Sequence, residues 1–147
     1  MKSIMIIVAD SSRARFFTTD SPASPLQEIQ TMAHPEGRIH EQNMVSDLPG
    51  KDSGTGSSGG HVYQEIIEPK QHEIIEFAKR IANYLEQMRN AEKIISLLIV
   101  AAPAFLGELR KVISDDLNEM VVFELDKNLT QHSVEDIRNH LPKYLTH

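Results

Sequence analysis

The chain has 147 residues, the length of one domain or of one domain with a long insertion. It contains no cysteine, which excludes disulfide frameworks, cysteine-ligated zinc sites and thiol catalysis. Its 15 Lys and Arg residues against 21 Asp and Glu residues give a net charge of −6, which disfavours sequence-independent binding to duplex nucleic acid.

The apolar segments are too short to cross a membrane. The longest, residues 4–9 and 97–103, fall well below the roughly 20 residues that a spanning helix needs. The first residues imitate a signal peptide, but Asp10 ends the apolar stretch early and no small-residue cleavage site follows. We therefore expect a cytoplasmic protein with no membrane partner.

The amino-terminal part of the chain predicts three strands. Ser3–Ala9 is continuously apolar and β-branched, which is typical of a strand covered on both faces. Arg13–Thr19 alternates and follows a short turn, so we expect it to pair back antiparallel. Residues 26–33 are weaker and more polar, which favours an edge strand. An edge of this kind leaves the oligomeric state open.

Residues 34–71 show no sustained hydrophobic period and contain the tract SGTGSSGG at residues 53–60. A segment of this composition cannot build a core of its own. Long irregular stretches inside compact domains are usually functional or disordered. We therefore expect a single α/β domain over residues 1–147 with a Gly/Ser-rich flexible loop at about 34–71.

The remaining sequence alternates between helical and strand patterns. Residues 72–89 carry apolar side chains at helical spacing and predict the longest helix. Proline suits the first turn of a helix, and serine suits the N-cap position. The further predicted elements are a strand at 96–102, a helix at 104–112 after Pro103, a short helix capped by Ser114, a strand at 120–125 and a last helix capped by Ser133.

Together these elements predict an α/β fold. We expect a mixed five-stranded sheet, an antiparallel meander followed by parallel strands, with helices on its faces. This architecture resembles that of ribonuclease H, whose metal-dependent reaction needs several converging carboxylates. The first and fourth predicted strands contain no acidic residue, so we expect no metal ion and no other cofactor.

Polar residues follow the ends of the predicted parallel strands. Asp10 follows the first, Pro103 the fourth, and Asp126, Lys127 and Asn128 follow the fifth. Parallel strands end at one edge, where open α/β sheets usually bind ligands, and the helix start at Pro103 suits an anion. The alternative interpretation is that the two aspartates only form turns and that the lysine is solvated.

Three arginines are candidates for a small positive surface that binds phosphate. Arg13 and Arg15 lie two residues apart and face the same side of the second predicted strand. Arg110 and Lys111 end the helix after the fourth strand, and Lys111 belongs to the same candidate surface. The alternative is ordinary solvated charge, with Arg110 complementing the carboxyl end of its helix.

Several short segments of the chain occur together, in this order, in one bacterial family. They are VAD at residues 8–10, RARF at 13–16, VAAP at 100–103, LGELR at 106–110 and ELDKNLT at 124–130. On these segments the chain resembles the host-attachment proteins, the family of the "protein required for attachment to host cells". The family name comes from a phenotype and names no chemistry.

That family is similar in fold to the middle domain of eukaryotic and archaeal peptide-chain release factors. In release factors a Gly-Gly-Gln loop enters the peptidyl-transferase centre, where the Gln amide helps to place water against the peptidyl-tRNA ester. The corresponding position here holds Gly59 and Gly60, followed by His61, and the nearest glutamine is Gln64. The resemblance makes these four residues the candidate catalytic residues of a loop that contacts the ribosome or tRNA.

The sequence thus carries several functional hypotheses. The first is a release-factor-like domain that contacts the ribosome or tRNA through its Gly-rich loop. The alternative is a non-enzymatic interaction or regulatory protein, with a protein partner, that attachment requires indirectly. A small-ligand or phosphate site at the sheet edge is the third hypothesis, and a direct adhesin is the fourth. The missing catalytic constellation favours a protein that is not an enzyme.

Overall fold

A computed structural model of the chain describes residues 2–21, 24–34 and 59–142, with side chains for all of these except 59–70. The strands are β1 (Ser3–Ala9), β2 (Arg13–Thr19), β3 (Gln27–Ala33), β4 (Ile94–Ala101) and β5 (Val121–Leu125). The helices are α1 (Gly59–Asn90), α2 (Pro103–Val112), α3 (Asp115–Glu119) and α4 (Val134–Asn139).

Within these residues the five strands form one sheet in the order β3-β2-β1-β4-β5. The first three strands pair antiparallel, whereas β4 is parallel to β1 and β5 is parallel to β4. The predicted α/β class and the mixed five-stranded sheet are confirmed, and β3 lies at an edge as expected. The physical reason is burial: β1 and β4 are almost entirely buried and occupy central positions.

Both faces of the sheet are covered, which explains the continuous apolar run of β1. One face, with Met5, Ile7 and Phe16, packs against α1 and α2 through side chains such as Phe77 and Leu106. We call this the α1 face. The other face packs against α4 and the segment before it, and we call it the α4 face. Alternate residues of β1 therefore enter two different cores.

Helix α1 begins at Gly59, not at residue 72 as the sequence predicted. The predicted loop boundary at about residue 71 is therefore wrong. In the sequence, Ile66 and Ile67 continue the helical spacing of the later apolar stripe, whereas Pro69 and the two glycines are weak helix formers. The low helix propensity of these residues favoured a loop, but the segment is helical, as its apolar spacing indicates. The rest of the predicted loop, residues 35–58, lies outside the described residues.

The short helices begin where the sequence placed their caps. The Ser114 hydroxyl oxygen accepts a hydrogen bond from the Leu117 backbone N–H at 3.1 Å. The Ser133 hydroxyl oxygen accepts one from the Asp136 backbone N–H, also at 3.1 Å. Both caps satisfy an N–H that has no partner within its helix. Among the described residues, no helix is both long enough and apolar enough to traverse a bilayer.

We expect Phe77→Ala to lower the free energy of unfolding by about 3–5 kcal/mol, because it removes a buried ring and leaves a cavity. Phe77 is fully buried, with ring centroids of His34 at 5.0 Å and of Phe105 at 5.8 Å. Urea unfolding measures the change. The control is Lys79→Ala on the exposed side of α1, for which we expect a change within about 0.5 kcal/mol. Equal losses in the two variants would contradict this account of the core.

Candidate functional site

The carboxyl ends of the parallel strands lie at one edge of the sheet, as the sequence predicted. Ala9 is in register with Ala101, and Val100 with Leu125. The residues that follow these strands therefore emerge side by side. The side chains of the predicted ligand site lie along this edge, in two separate regions.

The first region centres on the carboxylate of Asp10. Its Oδ1 accepts hydrogen bonds from the backbone N–H groups of Ser12 at 2.8 Å and Arg13 at 2.9 Å. Its Oδ2 accepts from Asn128 Nδ2 at 3.0 Å and lies 3.1 Å from the hydroxyl of Thr130. Both oxygens are thus occupied by the protein itself. This arrangement, the Asp10 lock, joins the turn after β1 to the segment after β5.

Asn128 and Thr130 complete the lock from the other side. Asn128 Oδ1 accepts from the Thr130 backbone N–H at 3.1 Å and lies 2.7 Å from its hydroxyl. Thr130 is only 1% exposed. The hydroxyl proton is shared between two acceptors, the side chains of Asn128 and Asp10. Both residues lie in the string ELDKNLT. Sequence reasoning did not predict that Asp10 approaches them and bonds to both.

Arg15 forms a second connection to the same segment. Its Nε and Nη2 donate to the carboxylate of Glu28 on β3, at 3.1 and 2.9 Å. Its Nη1 donates to the backbone carbonyls of Thr130 at 3.0 Å and His132 at 2.8 Å. Every nitrogen of the guanidinium is therefore engaged. The predicted phosphate-binding role of Arg15 stays a prediction, and the geometry gives this side chain a structural task.

Glu28 is a partner that sequence reasoning missed. The hydrogen bond from Arg15 is the main reason why the pKa of Glu28 lies below its ordinary value of 4.5, with the Thr31 hydroxyl and the charge of Arg15 adding to it against desolvation. The predicted pairing of β2 with β3 was the feature of the sequence that could have revealed this partner. That pairing places Glu28 in register with Phe17, on the same face as Arg15 and diagonal to it, and the register contains an irregularity between Phe16 and Phe17.

Between these elements lies an open groove of about 950 Å³. We define the anion groove by the residues that line it on three sides: Asp10, Ser12 and Arg13 in and after the β1–β2 turn with Arg15 on β2, Thr31 and Ala33 on β3, and His132 and Ser133 before α4. Arg13 is half-buried, and its guanidinium has no ion-pair partner among the described residues. It differs in this respect from Arg15.

His132 was also missed by the sequence reasoning. Its Nδ1 forms a short hydrogen bond with Asp136 Oδ2, one helical turn further on. That bond is the main reason why the pKa of Asp136 lies below its ordinary value. The i, i+4 spacing across the Ser133 cap was the available signal. Within the described ranges, no three His, Cys, Asp or Glu side chains are grouped closely enough to hold a metal ion.

The second region is a smaller crevice at the start of α2. It is lined by Pro103, Leu106, Arg110, Glu124 and Asp126. Arg110 donates from Nε to Glu124 at 3.0 Å, and this bond is the main reason why the pKa of Arg110 is raised. Two carboxylates thus face one guanidinium. The charge of this crevice disfavours the anion that the sequence suggested at the helix start.

The three arginines do not form one positive surface. Arg15 lies over the Phe17 ring on the α4 face, at 5.1 Å from its centroid. Arg110 belongs to α2 and binds Glu124, which is in register with Ile99 on the α1 face. The sheet separates them. Lys127 is exposed beside the edge and has no ion-pair partner in the part of the chain that the structure describes.

The four candidate residues taken from the release-factor resemblance lie in α1. Gly59 and Gly60 begin the helix, and His61 and Gln64 follow in its first two turns. Their predicted location in a loop is wrong, while their catalytic role stays a prediction. Their side chains, like all of residues 35–58, lie outside what the structure describes.

Comparison with known proteins identifies the family. A sequence model of the family described as "Protein required for attachment to host cells" matches residues 5–141. The chain belongs to this family. The match runs from β1 to the residues after α4, so it covers the Asp10 lock and the anion groove.

Two further proteins are similar to this chain. An uncharacterized protein of Rickettsia prowazekii (strain Madrid E), RP470, is 30% identical over 83 residues, which are 55% of this chain and 55% of that protein. A chain of the PilM-PilN type IV pilus biogenesis complex matches 97% of this chain and 43% of its own length, with 11% identity and a TM-score of 0.45. The latter likeness carries no argument about fold or function. Neither match supports the resemblance to release factors.

We expect Asp10→Asn to lower the free energy of unfolding by about 1–3 kcal/mol, because an amide nitrogen would face donors that now meet a carboxylate oxygen. Urea unfolding at neutral pH measures this loss. Asp126→Asn provides the control, since Asp126 is exposed at the same edge, and we expect a change within about 0.5 kcal/mol. The lock would be of no consequence for stability if both variants unfolded at the wild-type urea concentration.

We expect Glu28→Gln to cost about 1 kcal/mol at neutral pH and less in acid, since the pair with Arg15 is partly exposed. The folded pKa of Glu28 lies below 4.5. The ionised carboxylate therefore stabilises the fold above the unfolded pKa, and this contribution is lost as the pH falls through the folded pKa. Urea unfolding from neutral pH down to about pH 3.5 should show the wild-type and variant stabilities converging. A constant difference at every pH would refute the assignment.

Proposed function

We propose that this member of the host-attachment family is a binding protein rather than an enzyme, and that it serves attachment indirectly through a partner. The observation that carries the proposal is the Asp10 lock. A general acid or base must exchange a proton with substrate, and both oxygens of Asp10 are occupied by donors of the protein itself. The edge that usually holds a catalytic site is used here for structure.

The arrangement suits a rigid binding surface. Asp10 and Arg15 fix the segment after β5 to the first two strands through four hydrogen bonds, which involve backbone carbonyls and side chains of that segment. Surfaces held in this way lose little conformational freedom on binding. The cytoplasmic location expected from the sequence is part of the proposal, so the effect on attachment would be exerted from inside the cell.

Contact with the ribosome or tRNA is the second candidate. Its support is the resemblance carried by the sequence motifs, together with one structural observation. The His34 backbone N–H donates to the Ser12 carbonyl at 2.7 Å. His34, the last described residue before the Gly-rich segment, therefore lies beside the turn that contains Ser12.

Gly60→Ala distinguishes the two candidates. Alanine favours a helix over glycine by about 1 kcal/mol, so in α1 we expect an unchanged or raised thermal midpoint and full complementation of attachment in a strain that lacks this protein. A Gly-Gly loop that works as in release factors needs backbone angles that alanine resists. Loss of complementation with a native thermal midpoint would overturn the binding-protein proposal and favour the loop-based one.

Biochemical measurements complete this test. The purified full chain should not release peptide from peptidyl-tRNA, and it should remain at the top of a sucrose gradient of stalled ribosomes. Peptide release that is lost in Gly60→Ala would contradict the absence of catalysis. Co-sedimentation without peptide release would instead identify the ribosome as the binding partner.

A further inference from the structure

We propose that the anion groove binds a small ligand through a terminal phosphate group, with Arg13 as the cationic contact and His132 as a second donor. The proposal does not rest on the absence of catalysis or on the attachment role, because phosphate binding is a property of the purified chain.

Arg13 is placed to receive an anion. It is in register with Ala33 on β3, whose small side chain leaves room on this face of the sheet. It is half-buried, and no carboxylate of the described residues pairs with it. Partial burial of an unpaired charge is unfavourable, and a bound anion removes that cost. Guanidinium groups bind phosphate oxygens in a bidentate manner.

The acidic residues at and around the groove already have hydrogen-bond partners within the protein. Asp10, which lines the groove, accepts hydrogen bonds on both oxygens. Glu28 is held by Arg15 and by the Thr31 hydroxyl, which donates at 2.9 Å. Asp136 is hydrogen-bonded to His132. Arg13 is thus the charged residue of the groove lining whose side chain these contacts leave without a partner among the described residues.

The opposite wall supplies further donors. His132 uses Nδ1 for Asp136, so its Nε2 is the ring nitrogen that the described contacts leave for a ligand. When both ring nitrogens carry a proton, Nδ1 donates to Asp136 and Nε2 can donate to a ligand. The Ser133 oxygen accepts from the Asp136 N–H, so its own hydroxyl hydrogen can be donated. Arg15 fixes this wall through two backbone carbonyls.

Size and charge point to a small ligand rather than a nucleic acid. The groove volume of about 950 Å³ lies at the upper end of the range for small-molecule sites, roughly 300–1,000 Å³. A polynucleotide requires several cations in a row, each neutralising a phosphate, whereas one uncompensated arginine faces this groove and the chain has a net charge of −6. The geometry therefore favours one terminal phosphate.

The test is an NMR titration of the ¹⁵N-labelled full chain at constant ionic strength. The probes are inorganic phosphate, adenosine 5′-monophosphate, adenosine and a short RNA oligonucleotide without terminal phosphates. We expect phosphate and the monophosphate to shift the amide signals of Ser12, Arg13 and Ser133. Adenosine should leave them in place, and the oligonucleotide should bind more weakly than the monophosphate.

Variants assign the contact to its residues. Arg13→Gln should weaken binding of the monophosphate by about 10- to 100-fold, the usual effect of losing a charged hydrogen bond. Arg13→Lys should lose less, because it keeps the charge. The matched control is Lys93→Gln, which removes one exposed charge beside the amino end of β1, where the Lys93 carbonyl accepts from Ser3.

Three results would overturn the proposal. They are no response of the wild-type chain to either phosphate probe, equal affinities of the wild type and the folded Arg13→Gln variant, and tighter binding of the oligonucleotide than of the monophosphate. If Arg13→Gln fails to fold, His132→Gln and Arg13→Lys decide the question, and wild-type affinity in both of them also refutes it.

Discussion

One half-buried hydrogen-bonding group, the Asp10 carboxylate, joins two segments of this protein that the sheet pairing does not connect, the turn after β1 and the segment after β5. The segment between β5 and α4 has no regular structure, and its backbone needs partners outside itself. Asp10 supplies acceptors to Asn128 and Thr130, and Arg15 supplies donors to two carbonyls of the same segment. These contacts add to the apolar packing of Ile137 and Leu141 that holds α4 on the α4 face.

The same contacts determine which charged groups remain available to a ligand. Arg13 and Arg15 are separated by one residue on one strand, yet among the described residues only Arg15 forms an ion pair, with Glu28. Arg13 lines the groove without an ion-pair partner among the described residues. At the start of α2, by contrast, Glu124 and Asp126 outnumber Arg110. Two neighbouring parts of one sheet edge therefore differ in their balance of charged side chains.

Membership of the host-attachment family agrees with this picture without supplying a mechanism. Three of the sequence strings that carry the resemblance include residues of the structural contacts described above: VAD contains Asp10, RARF contains Arg15, and ELDKNLT contains Asn128 and Thr130. Such residues can recur in a family because the fold needs them.

The sequence by itself determined the strands, their order, the caps at Ser114 and Ser133, and the common edge of the parallel strands, because hydrophobic period and capping chemistry are local. It misplaced the start of α1, where glycine and proline oppose a helix that the apolar spacing supports. Only the tertiary structure decided which charges are paired. Asp10 and Asn128 are 118 residues apart in the chain, and Arg15 and His132 are 117 apart. Their contacts exist because the sheet brings distant segments together, and local patterns carry no information about such distances.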